Sequence, residues 1–258
     1  MSRRLTFYYD TLLEFQQPVT GHAFTLRCVP ASFPGQRILD VTLTLDPSGA
    51  CTWQKDGFGN LLQIGRVEQP HTHFRYTVQG TAEVDLSRRI PEAAHPVFRY
   101  ASSYTAVSPA MLHWLSQLTL PEGEYGRALE LAQAVHSYMT YTPGVTGVNT
   151  TAQEAFHQKS GVCQDYAHVY LALARKAGLT ARYVNGLPEG EGASHAWCEV
   201  WINGVWLGID PTRNRLAGEG YLRLGVGRDF GDCPIERGVF LGCTPQQQTV
   251  TTRVYQQQ

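Results

Sequence analysis

The sequence has little excess of either charge. Its 258 residues include 21 Lys and Arg against 22 Asp and Glu, which gives a formal net charge of -1, and like charges do not form runs. Nucleic acids and acidic membranes are bound mainly through clustered positive charge. The composition therefore argues against a nucleic acid or a membrane surface as the main partner.

Long hydrophobic runs are also missing. No stretch approaches the roughly 18 apolar residues that a membrane-spanning helix needs. The N-terminal sequence MSRRLTFYYDTLLEF has two arginines but no unbroken apolar segment and no small-residue cleavage site. We therefore expect a cytoplasmic protein.

The cysteines lack the tight spacing of a metal motif or a disulfide framework. In a reducing compartment most of them should be small buried hydrophobic residues, so a reactive one must be identified by its surroundings. With 43% hydrophobic residues the chain can bury a sizeable core. The six cysteines are Cys28, Cys51, Cys163, Cys198, Cys233 and Cys243.

The first hundred residues predict strands and turns. Segments rich in β-branched and aromatic residues are separated by turn residues, and in HFRYTVQG the apolar Phe74, Tyr76 and Val78 alternate with polar neighbours. We predict an N-terminal antiparallel β domain over residues 1–100. Segment 90–109, with three prolines, is predicted to connect it to a second domain over 101–258.

The second half has a different pattern. Apolar residues at helical spacing follow Pro121 and stop at Pro143-Gly144, and a second helix should begin near Cys163 and end at Gly178. Strand-like segments follow, among them HAWCEVWI and VWLGIDPT. Two helices followed by an antiparallel sheet predict an α+β domain.

A hairpin is predicted at Asn203-Gly204, the favoured dipeptide for a two-residue type I′ turn. With this turn, Ile202 pairs with Val205, and every further cross-strand pair follows from that register. A slip of one residue would move each side chain to the other face of the sheet.

This register brings a histidine and an aspartate together. His195, Trp197, Asp210 and Thr212 share one face, because side chains alternate along a strand. His195 and Asp210 are then diagonal neighbours roughly 7–8 Å apart at the backbone, which is within reach of a carboxylate–imidazole contact. A purely structural His–Asp pair on the sheet surface would satisfy the same pattern.

Cys163 favours a catalytic interpretation of that pair. It follows Gly161 closely and lies where a helix begins. The unsatisfied N–H groups of a helix N-terminus favour an anion such as a thiolate and can also stabilise an oxyanion. The chain order Cys163, His195, Asp210 is one that thiol acyl-transfer enzymes use.

Two other interpretations of these residues are less favoured. Cys163 could be an ordinary buried cysteine, but the polar start of a helix argues against this. A zinc site formed by Cys163, His195 and Cys198 is disfavoured because Cys198 should point to the opposite face of its strand. Asp165 and His168, in the first turns of the helix, are expected to be structural.

The sequence resembles the bacterial transglutaminase-like superfamily, a branch of the papain-like thiol enzymes. The resemblance rests on GVCQDYAHVYLALARKAGLTARYVNG and SHAWCEVWINGVWLGIDPT, supported by YTPGVTGVNTTAQEAF and VGRDFGDCPIERGVFLG. The strand-rich first hundred residues, including DGFGN, resemble the N-terminal domain that usually accompanies this core. The resemblance to this superfamily implies a papain-like fold in which the cysteine-bearing helix packs on an antiparallel sheet or barrel.

The resemblance also implies roles for the site residues. Cys163 would be the nucleophile, His195 the general base and acid, and Asp210 the residue that orients His195. The calcium sites of animal transglutaminases have no visible counterpart, so no metal or cofactor is expected. A second oxyanion donor is not identified: Gln164 is a weak candidate, and none of the tryptophans aligns with the one implicated in animal relatives. Those tryptophans are Trp53, Trp114, Trp197, Trp201 and Trp206.

The expected activity is thiol-dependent acyl transfer on a peptide or protein amide through a thioester. Hydrolysis is favoured over cross-linking to an amine, because water at about 55 M reacts unless it is excluded. A non-catalytic binding module, with its triad covered by the glycine-rich segment 218–233, remains an alternative. Within that segment and just after it, Arg228, Asp229, Asp232 and Arg237 are expected to form structural ion pairs rather than contact substrate. The sequence does not define an oligomeric state.

Overall fold

The computed structural model describes residues 2–85, 91 and 93–257. Over these residues the chain forms two main antiparallel sheets and four α-helices. The strands are β1 (Arg3–Leu26), β2 (Gln36–Asp46), β3 (Ala50–Lys55), β4 (Leu61–Val67), β5 (His71–Val84), β6 (Thr140–Tyr141), β7 (Ser160–Gly161), β8 (Ala181–Pro188), β9 (Gly190–Gly192), β10 (His195–Ile202), β11 (Val205–Asp210), β12 (Arg215–Leu216), β13 (Tyr221–Gly227), β14 (Glu236–Leu241) and β15 (Gln246–Gln256). The helices are α1 (Pro109–Ser116), α2 (Glu124–Tyr138), α3 (Ala152–Gln158) and α4 (Cys163–Lys176).

Strand β1 organises the first sheet. Its first half pairs with β5 on one side and β15 on the other, and its second half pairs with β4 and β14. The pairing of β1 with β5 shifts in register between Glu14 and Val19, and its pairing with β14 shifts between Thr20 and Ala23. Gly21, within the second shift, adopts a φ of 56° that favours glycine. One long strand therefore serves two sets of partners.

The core of this sheet consists of alternate residues of β1 and β5, as the period of two requires. Leu5, Phe7 and Tyr9 of β1 pack with Phe74 and Tyr76 of β5, and all five are buried. The alternation predicted for HFRYTVQG is thus confirmed. The larger cluster around them also takes in Val254 of β15 and Leu222 and Leu224 of β13.

The sheet of the first hundred residues includes strands from the other end of the sequence. Its hydrogen-bonded order is β2-β5-β1-β15-β9, with β14 also paired to β1. The division into domains at residues 100 and 101 stays a prediction, and two strands beyond residue 230 lie in the first sheet. The predicted connection 90–109 includes residues 90 and 92, which lie outside the described residues.

The second sheet carries the cysteine-bearing helix. Its order is β12-β11-β10-β8-β13, and all neighbouring strands are antiparallel. Helix α4 packs against β10 and β8, and most of its residues are buried. The predicted α+β class, with a cysteine-bearing helix on an antiparallel sheet, is confirmed.

Helix α2 begins close to the predicted position and ends at Tyr138, five residues before Pro143. Helices α1 and α3 were not expected from the sequence. In α3 the hydroxyl of Thr151 accepts a hydrogen bond from the Glu154 N–H, and the Glu154 carboxylate accepts one from the Thr151 N–H. This reciprocal capping box is a local signal that could have located the helix.

Throughout the described ranges, no helix is both long enough and apolar enough to cross a membrane.

The position of β15 in the first sheet can be tested with two valine truncations. Val254 on β15 is fully buried, whereas Val239 on β14 is 69% exposed. Val254→Ala should lower the free energy of unfolding by about 2 kcal/mol, because it removes buried methyl groups and leaves a cavity. Val239→Ala should change it by less than about 0.5 kcal/mol. Urea denaturation measures both; equal effects would contradict the position of β15.

Candidate active site

Helix α4 begins at Cys163, and a buried aspartate fixes its first turn. The carboxylate oxygen Oδ2 of Asp165 accepts hydrogen bonds from the Val162 N–H at 2.7 Å and from the Thr146 hydroxyl at 2.7 Å. A Cβ at Gly161 would lie 2.4 Å from the same oxygen, so the approach requires glycine there. Asp165 therefore has a structural role, as expected, because it holds the turn from which Cys163 begins the helix.

The hairpin forms at the predicted turn and in the predicted register. Asn203 and Gly204 have φ values of 50° and 87°, as a type I′ turn requires. The ladder pairs Ile202 with Val205 and continues in step to Cys198 and Ile209. The ladder between these two strands ends at that pair, whereas β11 continues to Asp210 and pairs with β12 along its other edge.

His195 and Asp210 are in direct contact at the open end of this hairpin. The Nε2–H of His195 donates a hydrogen bond of 2.8 Å to Oδ2 of Asp210. His195 is 8% exposed and Asp210 is fully buried. Because Nε2 is committed to Asp210, Nδ1 is the ring nitrogen left to face Cys163, whose thiol is near enough to raise the pKa of this ring.

Tyr221 completes the surroundings of the buried carboxylate. Its hydroxyl donates a 2.8 Å hydrogen bond to Oδ2 of Asp210, and it accepts one of 2.8 Å from Nε of Arg215. The backbone N–H groups of Thr212 and Arg213 donate to Oδ1 of Asp210. The sequence did not indicate Tyr221, because β13, which carries it, is not adjacent to the hairpin along the chain.

The charges of the site are set by competition between burial and pairing. Burial alone lowers the pKa of His195, but its hydrogen bonds with Asp210 and Cys163 and their negative charges outweigh burial and raise this pKa to about 9. Burial raises the pKa of Asp210, yet its contacts with His195 and Tyr221 lower it below the ordinary value. The site therefore holds a protonated imidazole next to an ionised carboxylate at neutral pH.

Cys163 and His195 line an open cavity of about 290 Å³. Cys163 is half-buried, which leaves its sulfur accessible from this cavity. The glycine-rich segment 218–233 contributes only Phe230 to the walls. The alternative in which that segment covers the triad is therefore not supported at Cys163 and His195, although Tyr221 of the segment contacts Asp210.

The other cysteine of the hairpin faces away from this cavity. Cys198 is buried against helix α4, where its sulfur lies 3.6 Å from the carbonyl oxygen of Ala167. His195 lies on the opposite face of the same strand, as the alternation predicted. Cys163, His195 and Cys198 therefore do not converge on a common point, as a zinc site would require.

His168 and the charged residues near Phe230 have structural roles. The fully buried ring of His168 accepts a hydrogen bond from the Phe230 N–H at 3.2 Å, and burial lowers its pKa to about 3, so it is neutral. Arg228 and Asp232 form an ion pair at 2.8 Å. Asp229 and Arg237 both bind the backbone of Gly231. All four residues make structural contacts, but among the described residues the expected ion pair is found only between Arg228 and Asp232.

The candidates for a second oxyanion donor remain without support. Gln164 lines the cavity, but its amide nitrogen donates to the carbonyl of Val148 at 3.2 Å. Trp197 stacks on the His195 ring from the far side, with ring centres 6.4 Å apart. Among the residues described, no tryptophan lines the cavity at Cys163.

Comparisons with known proteins identify the family. Residues 98–211 match the model of the transglutaminase-like superfamily core, and residues 5–83 match that of the bacterial transglutaminase-like N-terminal region. An uncharacterised protein of Mycobacterium tuberculosis is 31% identical over 243 residues, 79% of this chain and 77% of that protein. The chain belongs to the bacterial transglutaminase-like superfamily.

Other members of the superfamily extend this picture. An uncharacterised protein of Mycobacterium leprae is 27% identical over 93% of this chain and 94% of its own length. A protein-glutamine gamma-glutamyltransferase of Pseudomonas aeruginosa is 34% identical over 92 residues, 30% of this chain and 14% of that enzyme. The crystal structure of a candidate cysteine protease from Cytophaga hutchinsonii superposes with a TM-score of 0.81 at 19% identity, over 99% of this chain and 91% of the other. At that identity the superposition shows a shared fold.

The coupling between Cys163 and His195 predicts a change in histidine titration. Cys163→Ser should lower the pKa of His195 below its value of about 9, because the sulfur's negative charge and hydrogen bond help to raise it. Nitrogen-15 NMR of the histidine side chains measures this, with His168 as a ring that stays neutral from pH 5 to 10. Cys243→Ser, at an exposed cysteine, should leave the titration unchanged. An unaltered pKa in Cys163→Ser would contradict the contact.

Proposed function

We propose that the protein catalyses acyl transfer from an amide through a thioester on Cys163, and that water is the usual acceptor. The observation that carries the proposal is that Cys163 and His195 line one open cavity and that His195 is hydrogen-bonded to the buried Asp210 behind it. In this arrangement Cys163 is the nucleophile, His195 transfers protons, and Asp210 orients the ring.

Acylation begins with attack of the Cys163 thiolate on the carbonyl carbon of the substrate. The carbonyl electrons move to oxygen and form an oxyanion. The imidazolium of His195 then donates its proton to the leaving nitrogen, the C–N bond breaks, and the amine departs. The acyl group remains on sulfur as a thioester, and His195 is left neutral.

Deacylation restores the enzyme. Neutral His195 takes a proton from water as the water oxygen attacks the thioester carbon, and the C–S bond breaks to release a carboxylic acid. Cys163 returns as a thiolate beside a protonated His195. Because the cavity is open, water at about 55 M has access to the thioester, which favours hydrolysis.

The start of helix α4 supplies oxyanion stabilisation. The N–H of Val162 is occupied by Asp165, which leaves the N–H of Cys163 as the first donor near the sulfur. A backbone donor at a helix N-terminus is pre-oriented and carries partial positive charge.

Transfer to an amine is the second candidate. It is supported by the local similarity to the Pseudomonas aeruginosa protein-glutamine gamma-glutamyltransferase, which includes a transamidating activity in its name. Both reactions pass through the same thioester, so they differ only in which acceptor reaches it.

The decisive experiment measures products with and without an added primary amine. Incubation with glutamine-containing peptides should release ammonia or a shorter peptide, and mass spectrometry after acid quenching should find the acyl group on Cys163. Cys163→Ala should reduce turnover by at least about 10³-fold, as loss of a nucleophile does in comparable triads. Cys243→Ala is the matched control.

Each outcome of this experiment has a defined meaning. Product that incorporates the amine at the expense of hydrolysis would make transamidation the main reaction. Absence of a thioester under both conditions would overturn the proposal and favour a binding module that keeps the fold.

The titration of His195 sets an alkaline limit on activity. Acylation needs the protonated ring, and protonation is lost as pH rises through about 9, so kcat/KM should fall above that pH. Asp210→Asn should move this fall to lower pH, because the neutral amide no longer stabilises the imidazolium. Asp40→Asn, at an exposed position on β2, serves as the control. A wild-type fall near pH 6.5 would contradict the raised pKa.

A further inference from the structure

The cavity at Cys163 extends onto the other sheet. Beyond Cys163 and His195 its walls include Tyr9 of β1, Tyr76 of β5 and Glu236 of β14. Gln248 and Val250 of β15 complete that side. The region of the cavity away from the triad is therefore built by the first sheet, and it places a carboxylate directly at the cavity wall, which Asp210 of the triad does not line.

Glu236 is held with one oxygen engaged and the other available. Its Oε2 accepts hydrogen bonds from the Tyr76 hydroxyl and from Nε2 of Gln248, each at 3.2 Å. The Tyr9 hydroxyl lies 3.5 Å from that of Tyr76 and extends the network into the core. No described residue donates to Oε1 of Glu236, so this oxygen is free to accept a hydrogen bond inside the cavity.

The carboxylate also has no positive partner in the described part of the chain. No ion pair to Glu236 is found there, and the neighbouring Arg237 directs its guanidinium to the carbonyl oxygen of Gly231. Burial raises the pKa of Glu236 to about 7 although the Tyr76 hydrogen bond opposes this. Glu236 is partly exposed at the wall of this cavity, where an incoming cation would pair with a carboxylate that has no cationic partner in the described residues.

We propose that Glu236 binds a positively charged ammonium group of the amide substrate through Oε1 and so determines which amides transfer their acyl group to Cys163. The proposal rests on the proposed acyl transfer at Cys163 and names the chemistry of its substrate. A cavity of about 290 Å³ is at the small end of ligand sites, which suits one amino-acid side chain or one chain terminus rather than a large cofactor.

Two sources could supply the ammonium group, a lysine side chain or the free α-amino end of a peptide. Three small ligands distinguish them. Nα-acetyl-lysine methylamide carries only the side-chain ammonium, and norleucine methylamide carries only the α-ammonium. Nα-acetyl-norleucine methylamide has a similar size and carries neither.

The experiment measures binding without requiring turnover, so that it can fail independently of the proposed function. At pH 7.5 the apparent Kd of each ligand is obtained from its protection of Cys163 against iodoacetamide, read by mass spectrometry of the peptide that contains Cys163. Isothermal titration calorimetry gives the same Kd and decides the result if Cys163 proves unreactive.

In the wild type one ammonium ligand should bind roughly tenfold or more tightly than the neutral one, as expected for a charge-assisted hydrogen bond. Glu236→Gln should remove this difference, and Glu236→Asp should keep part of it because the charge remains. Glu130→Gln, the same substitution at an exposed position on α2, should keep all of it.

The two ammonium ligands then identify the source. Preference for acetyl-lysine methylamide indicates a lysine side chain, and preference for norleucine methylamide indicates a peptide N-terminus. Equal binding of all three ligands to the wild type, or an ammonium preference that survives in folded Glu236→Gln, would overturn the proposal.

Discussion

The site depends on the compensation of one buried negative charge. Asp210 has no exposed surface, and a carboxylate in that position is tolerated only when hydrogen-bond donors surround it. The donors come from three places: the His195 ring on β10, the Tyr221 hydroxyl on β13, and the backbone just after β11. Because these elements meet at one carboxylate, the orientation of the imidazole is determined by the sheet and not by a flexible side chain.

Local signals were sufficient to predict that His195 and Asp210 lie together on one hairpin and that Cys163 lies at the start of a helix. Asn203-Gly204 permits the positive φ values of a tight turn, and that turn determined the register that puts His195 and Asp210 on one face. Cys163 was recognisable from its position at a helix start. In each case the determining interaction spans only a few residues, so the sequence pattern contains it.

The remaining parts depend on contacts that sequence periodicity does not encode. Alternation in β15 indicates which residues point inward, but it does not indicate that β15 lies beside β1. Tyr221 and Glu236 were not predicted for the same reason, since alternation does not show that β13 or β14 reaches the site, although Tyr221 is only 11 residues from Asp210 along the chain. Helices α1 and α3 were also not predicted. For α3 the capping box of Thr151 and Glu154 is a local signal that was present in the sequence.

The pairing of β1 with β15 has a consequence for how the protein is made. Residue 5 lies beside residue 256, so the first sheet closes only after the chain has been synthesised through β15. Such non-local closure slows folding, because the entropy of a long loop is lost before the contacts form. Gln248 and Val250 then arrive with β15 as a wall of the cavity. Until β15 pairs with β1, the cavity beside Cys163 lacks this wall, including the Gln248 amide that donates to Glu236.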